Sequence, residues 1–159
     1  MAGAAKAPRT SSSRREPGQD LEALAHSVIG AAIGVHRELG PGFLESVYEE
    51  AMAYELSLCF IPFARQVEVP VRYKGRTVGR HRIDLLVDGR LIVELKAVDV
   101  LAAVYTAQVL SYLRATSHPL GLLINFNAPL LRTGIKRVVN TPNPGDLGDL
   151  GALAAKTTS

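Results

Sequence analysis

The sequence has very little cysteine, no tryptophan and no long apolar run. Cys59 is the one cysteine among 159 residues, which excludes an intramolecular disulfide, and no Cys/His cluster has the spacing of zinc ligands. No apolar run approaches the ~20 residues that a membrane-spanning helix needs. The N-terminus also lacks the apolar core of a secretory signal. These absences predict a cytoplasmic protein that does not associate with membranes.

Composition predicts one globular domain between two tails. Apolar residues make up 47% of the chain and charged residues 21%, an ordinary balance for a domain with a real core. Residues 1–19 and 141–159 are instead rich in small residues, Pro and Gly. We therefore expect a disordered basic tail over 1–19, a domain over 20–140 and a flexible tail over 141–159. The net charge of +3 argues only weakly for a nucleic-acid partner, because several positive charges lie in the first tail.

Apolar spacing predicts two helices at the start of the domain. Asp20 can cap a helix that runs to Leu39, and Gly40-Pro41-Gly42 ends it. A second helix is predicted from Phe43 to Leu58, with Glu45 in its first turn, where a carboxylate is favoured by the helix dipole whatever its function. Its predicted apolar stripe consists of Leu44, Val47, Tyr48, Ala51, Tyr54 and Leu58.

Alternating and continuous apolar runs predict a sheet after these helices. The expected strands are 66–73, 77–87 and 91–96, joined by tight turns into an antiparallel meander. A third helix, from Leu101 to Arg114, leads to an apolar strand from Leu120 to Asn125. Because a helix crossover normally returns the chain parallel to the sheet, we expect this last strand to be parallel to its neighbour.

Charged residues interrupt two of these strands. Asp84, Glu94 and Lys96 lie among Ile, Leu and Val, where a desolvated charge must be paired or bound to a metal. Glu94 and Lys96 share one face of their strand. Asp84 lies opposite Glu94 only if the hairpin loop has three residues or an equivalent bulge. A two-residue Asp-Gly turn would instead place Asp84 opposite Val93, on the other face.

In the three-residue register, the carboxylates of Asp84 and Glu94 can bind Mg²⁺ or Mn²⁺. The backbone carbonyl of Leu95 can add a ligand, and waters can complete the shell. Lys96 would then orient an attacking water or stabilise the transition state of phosphodiester hydrolysis. On spacing alone, an ordinary surface ion pair is the competing interpretation.

A run of basic residues without an acid crosses the first predicted hairpin. It consists of Arg72, Lys74, Arg76, Arg80 and Arg82. The run is compatible either with a solvated hairpin face or with a surface that contacts phosphates.

Three motifs together carry a family resemblance. Gly42-Phe-Leu-Glu45-Ser-Val-Tyr48 resembles the signature of the GxxExxY protein family, which is placed in the PD-(D/E)xK nuclease superfamily. The resemblance also includes Asp84 with Glu94-Leu95-Lys96. Gln108-Val-Leu-Ser-Tyr112 is similar to the Q-x-x-x-Y motif of recombination-type exonucleases.

The resemblance implies an α/β fold of the restriction-endonuclease-like type, with a mixed central sheet flanked by helices. It implies that Asp84 and Glu94 are metal ligands, that Lys96 is the catalytic base, and that Glu45 is an outer or water-mediated ligand. Gln108 and Tyr112 lie four residues apart on one helical face, and it implies that they point at the site. Core packing is the alternative for Tyr112, and packing is also the favoured role of Tyr48.

Two functions remain open at this stage. The first is a Mg²⁺-dependent nuclease, a hydrolase of phosphodiester bonds in nucleic acid, with DNA as the first candidate substrate and RNA as the second. The second is a non-catalytic module on the same scaffold that binds nucleic acid or protein. No nucleotide cofactor is indicated, and specificity is left open between DNA ends or structure, a homodimer and a partner protein.

Overall fold

A computed structural model of the chain describes residues 17–141. The predicted tails lie almost entirely outside the described residues, and their disorder stays a prediction. Helix α1 spans Pro17–Leu39, so it begins three residues before the helix predicted from Asp20, and the bounds of the domain stay a prediction. Proline is well suited to the first position of a helix because its fixed φ fits and its missing N–H is not needed there.

Two further helices and a five-stranded sheet complete the fold. Helix α2 spans Glu45–Leu58 and α3 spans Ala103–Thr116. The strands are β1 (Phe63–Tyr73), β2 (Arg76–Val87), β3 (Leu91–Lys96), β4 (Leu120–Asn125) and β5 (Ile135–Val139). They lie side by side in chain order. The β3–β4 pair is parallel and the other three pairs are antiparallel, which confirms the α/β class, the meander and the crossover.

Helices cover both faces of the sheet. On one face, α1 and α2 pack against alternate residues of the central strands, such as Leu85, Val93 and Leu122. On the other face, α3 packs through Val109 and Leu113 against a smaller cluster. Because both faces of β3 and β4 are covered by helices, nearly all their side chains are buried, and each strand is a continuous apolar run in the sequence.

Strands β2 and β3 pair over only three residues and then separate. Their paired residues are Leu85–Val87 and Leu91–Val93. Beyond this fork, the outer part of β2 continues with β1 as a two-stranded ribbon, over residues 66–83, which we call the arm. The inner part of β3, over residues 94–96, continues with β4. The two strands therefore diverge at the fork and leave a gap between β2 and β3 within the sheet.

One expectation for a single element was wrong, and one element was missed. The predicted stripe of α2 is largely exposed: Leu44 and Tyr54 are 77% and 68% accessible, whereas Met52 and Leu56 are fully buried. The helix carries apolar residues on two sides, and the contact with α1 and the sheet selects the second side. Strand β5 was not predicted, because Ile-Lys-Arg-Val-Val is short and gives a weak strand signal.

Candidate functional site

The first residues beyond the fork are Asp84 on β2 and Glu94 on β3. Val87 lies opposite Leu91, so the loop contains the three residues Asp88, Gly89 and Arg90. The Arg90 N–H donates to the carbonyl of Val87 at 3.0 Å. The register puts Leu85 opposite Val93, so Asp84 and Glu94 are the next positions on the two strands, where these begin to separate. This is the register that convergence of the two carboxylates requires.

The carboxylate of Asp84 occupies the gap in the sheet. Its Oδ2 accepts a hydrogen bond from the Leu95 N–H at 2.8 Å. This N–H points to the side from which β2 has separated, so it has no partner in a neighbouring strand there. On the other side of β3, the Lys96 carbonyl accepts the Phe126 N–H at 2.9 Å. Because successive residues of a strand direct their backbone groups to opposite sides, the Leu95 carbonyl points towards the gap and Asp84. A backbone acceptor thus joins the side-chain carboxylates.

Glu94 is buried and incompletely paired. Its Oε1 lies 3.6 Å from the Lys96 Nζ, and both side chains are largely shielded from solvent. Its Oε2 is buried without a hydrogen-bond partner. A buried acceptor without a partner is expensive and unusual, so this oxygen is suited to a cation or to a donor from a ligand.

Burial raises the pKa of the three carboxyl groups near the fork, and neighbouring carboxylates add to the increase. Burial, followed by the charge of Asp84, raises the pKa of Glu94 to about 8. Burial also raises the pKa of Asp84, although the hydrogen bond from Leu95 opposes this change. For Glu45, burial and then Asp84 raise the pKa. Such mutual repulsion is typical of groups that share a cation.

The turn before α2 places Glu45 near these carboxylates. Gly42 has a φ of 106°, which favours glycine. The Tyr48 hydroxyl donates to the Gly40 carbonyl at 2.6 Å and accepts from the Phe43 N–H at 3.2 Å. The Tyr48 ring is fully buried and stacks on Phe126, with a centroid distance of 4.6 Å. Tyr48 therefore fixes the start of α2, in agreement with its predicted packing role.

A cleft on the α2 side of the fork collects acidic side chains. It is lined by Glu45, Ser46, Glu49, Gln66 and Asp84. Within residues 17–141, however, no three Asp, Glu, His or Cys side chains come together in a way that could hold an ion by themselves. Glu45 is exposed at the edge of the cleft, and its charge is the smallest of the causes that raise the pKa of Glu94.

Helix α3 brings Gln108 and Tyr112 to the other side of Glu94. Burial raises the pKa of Tyr112 to about 12, and the charges of Glu94 and Asp84 add to the increase. Tyr112 is 3% accessible. The Lys96 Nζ lies 4.8 Å from the ring centroid of Tyr105, also on α3, a cation–π contact. The structure thus brings Gln108 and Tyr112 to the site, together with Tyr105, which was not predicted.

The five predicted basic residues lie on the arm, and all of them are exposed. Their faces differ. Arg80 and Arg82 pair with Pro70 and Glu68 on the face that points away from α3, and Arg80 forms a 3.0 Å ion pair with Glu68. Arg72 lines a groove with Arg80 on this outer face. Lys74 and Arg76 lie at the tip of the arm, where β1 turns into β2.

Two further polar residues support the site and were not predicted. Gln66, with a φ of 52°, donates to Glu49 and, at 3.4 Å, to Asp84. Asn125, at the end of β4, accepts the Val98 N–H at 3.0 Å and donates to the Val98 carbonyl at 2.8 Å. It thereby holds the segment after Lys96. A polar residue that ends an apolar strand was the one available signal for Asn125.

Comparisons with known proteins identify the family. The chain matches no curated protein and no solved structure. Separately, no helix within the described part of the chain is long and apolar enough to cross a bilayer. The sequence model of the PD-(D/E)XK nuclease superfamily matches residues 22–138, which include both sides of the fork and α3. The chain belongs to the PD-(D/E)XK nuclease superfamily.

Proposed function

We propose that the protein is a Mg²⁺- or Mn²⁺-dependent nuclease that hydrolyses phosphodiester bonds in nucleic acid, with DNA as the first candidate substrate and RNA as the second. One observation carries the proposal. Asp84 and Glu94 occupy the first positions beyond the fork, the Lys96 Nζ lies 3.6 Å from the Glu94 Oε1, and the Oε2 of Glu94 has no partner. A purely structural ion pair would not need a second buried carboxylate whose charge raises the pKa of the first.

The residues at the fork fit a divalent cation. Asp84 and Glu94 would hold it with the backbone carbonyl of Leu95, and Glu45 would contribute through water, since hard cations of this kind prefer oxygen ligands. When bound, the ion would polarise a phosphoryl oxygen and lower the pKa of water. The unpaired Oε2 of Glu94 is the observation that supports this fit.

Lys96 is the proposed catalytic residue beside the carboxylates. Its Nζ is held between Glu94 and the ring of Tyr105, so its position is fixed before a substrate arrives. There it can orient the water that attacks phosphorus, accept a proton in the role of a base, or stabilise charge that develops on the phosphoryl oxygens. Gln108 and Tyr112 supply further hydrogen-bond donors on the α3 side.

The experiment combines metal titration with cleavage. Calorimetric titration of Mn²⁺ and Mg²⁺ into the wild type should show binding that the Asp84→Asn/Glu94→Gln double variant loses. With plasmid and single-stranded DNA as substrates, the wild type and Asp88→Asn should cleave at least one of them, the double variant should cleave neither, and Lys96→Ala should reduce cleavage by at least ~10². Asp88→Asn is the matched control, because it removes an exposed carboxylate from the same hairpin. Cleavage at the wild-type rate by Glu94→Gln or Lys96→Ala would overturn the proposal.

The arm supports a second candidate, a module that binds nucleic acid without cleaving it. Its exposed basic residues could hold phosphates whether or not the carboxylates bind an ion. Binding that depends on Arg72, Arg76, Arg80 and Arg82, weakens with salt and needs no divalent ion would favour this function. If the wild-type protein binds DNA but neither binds a metal ion nor cleaves DNA, the result would favour the binding module and exclude the nuclease.

Three finer expectations stay predictions. Membership of the GxxExxY family within the superfamily rests on the Gly42–Tyr48 motif, and the cytoplasmic location rests on composition. A homodimer is testable by sedimentation velocity on the purified chain, where a concentration-dependent sedimentation coefficient would support it.

A further inference from the structure

A second cleft adjoins Lys96, on the side of the fork away from α2. Its walls are the inner face of the arm and the exposed side of α3. The lining residues are His81, Val104, Tyr105, Ala107, Gln108, Ser111 and Tyr112. Gln108 and Tyr112 belong to the site proposed above, and Tyr105 contacts Lys96 there. The other lining residues are aromatic, apolar or small, and the hydrolysis of a phosphodiester gives them no role.

Ring surfaces meet at the inner end of this cleft. The ring centroids of His81 and Tyr112 lie 5.4 Å apart and the rings are tilted by 56°. The ring of Tyr105 extends from the cleft to Lys96, whose Nζ is 4.8 Å from its centroid. A flat ligand that stacks in the cleft would therefore lie next to the proposed reaction centre. Val104, 65% accessible, forms the outer rim.

Charge favours a polyanion at this surface. Neither the arm between Val69 and Ile83 nor α3 contains an acidic residue. The arm carries five Lys and Arg residues over the same stretch. Arg72, Arg80 and Arg82 lie on its outer face, where Arg80 pairs with Glu68, and Lys74 and Arg76 lie at its tip. The acids of the site lie at the inner end, at the fork. An apolar peptide would gain nothing from this distribution, whereas a nucleic-acid backbone would be attracted to the tip and outer face of the arm, next to the cleft.

We propose that the cleft binds the base of an unpaired nucleotide next to the phosphate at Lys96, and therefore that the substrate is single-stranded or has frayed ends. This inference rests on the proposed nuclease function. A base inside a duplex is stacked on its neighbours and cannot enter such a cleft without being extruded. Stacking on aromatic rings accepts any base. The Gln108 amide, which offers both donors and an acceptor, can contact the edge of the base.

The test measures binding rather than cleavage, with Glu94→Gln protein in EDTA. The probes are a single-stranded oligothymidylate that contains one 2-aminopurine and the same strand in a full duplex. We expect the single strand to bind at least ~10-fold more tightly than the duplex, with a fluorescence change on binding. Tyr105→Ala should weaken this binding by ~5-fold or more, and Tyr105→Phe should preserve it.

Two variants make the result specific. Val104→Asp places a negative charge on an exposed rim, so it should weaken single-strand binding without unfolding the protein. Tyr54→Ala, which removes an exposed tyrosine from α2, should leave binding unchanged. Equal affinity for both probes, or wild-type affinity in both Tyr105→Ala and Val104→Asp, would overturn the proposal. If wild-type protein fails to cleave but binding still depends on Tyr105, the nuclease proposal falls and the base-binding cleft stands.

Discussion

Glu94 is the residue whose environment differs most from that of an ordinary surface acid. Burial and the charge of Asp84 raise its pKa to about 8. A carboxyl whose pKa is raised on folding stabilises the folded state while it is protonated. This contribution is fully present below the unfolded pKa of about 4.5 and is lost as the pH rises through about 8.

The neutral isostere Glu94→Gln should therefore stabilise the metal-free protein at alkaline pH. We expect its free energy of unfolding to exceed that of the wild type by roughly 1–3 kcal/mol at about pH 9, and the difference to vanish near about pH 5. Urea denaturation in EDTA at the two pH values measures it. In Glu68→Gln, which removes an exposed partner of Arg80, the change should stay within ~0.5 kcal/mol. Wild-type stability in Glu94→Gln at alkaline pH would contradict the expected repulsion.

Tyr48 shows how a motif residue can be structural. Its hydroxyl holds the Gly40 carbonyl and the Phe43 N–H, and the turn that it fixes places Glu45. Tyr48→Phe leaves a buried carbonyl without its donor, which should cost about 1–2 kcal/mol of stability. Thermal denaturation measures this cost, and the exposed Tyr54→Phe serves as the control. DNA cleavage by Tyr48→Phe below the melting transition should stay within about threefold of the wild type; complete loss would instead assign the hydroxyl a direct part in the chemistry.

At the scale of elements, the sequence predicted the strands of the sheet better than the buried face of a helix. Strands β3 and β4 are continuous apolar runs with clear turn signals, and the structure has them at the predicted residues. For α2, helical period alone admits two apolar sides. The choice of Met52 and Leu56 over Val47 and Tyr54 depends on the shape that α1 and the sheet present. A periodic pattern within one helix contains no information on that shape.

Helix α3 packs tightly on β4 at Gly121. A Cβ added there would lie 2.7 Å from Cγ1 of Val109, too close without a shift of the helix that carries Gln108 and Tyr112. We expect Gly121→Ala to destabilise the protein by about 1–3 kcal/mol. Gly79→Ala is the matched control: it also lies in a strand, but a Cβ there meets nothing within 4 Å. Urea denaturation should give Gly121→Ala a lower free energy of unfolding than Gly79→Ala. Equal stability of the two variants would mean that α3 does not pack closely on Gly121.

At the scale of the whole molecule, some residues of the site could be predicted from the sequence and others could not. Asp84, Glu94 and Lys96 stood out because charge inside an apolar strand is costly. The contact of Lys96 with Tyr105, and of His81 with Tyr112, depends on how the arm and α3 fold over the fork. Neither tyrosine nor histidine is unusual on a helix or strand, so no local signal marked Tyr105 or His81.

Charge is also distributed unevenly over the molecule. The net charge of +3 does not reveal that basic residues are concentrated on the arm. If the arm holds phosphates, the double variant Arg72→Ala/Arg82→Ala should weaken DNA binding by Glu94→Gln protein. It should also reduce the slope of log K against log salt by about 1.4 for single strands, since each phosphate contact contributes about 0.7.

The matched control is Arg132→Ala/Lys136→Ala, which removes two exposed charges near and on β5, at the opposite edge of the sheet from the arm. Both double variants lower the net charge by the same amount, so a general field effect would change both slopes equally. Fluorescence anisotropy over a salt series distinguishes the cases. A smaller slope in the arm variant alone would locate the phosphate contacts on the arm. Equal slopes would mean that its basic residues form only a solvated face, and that nucleic acid reaches the fork by another surface.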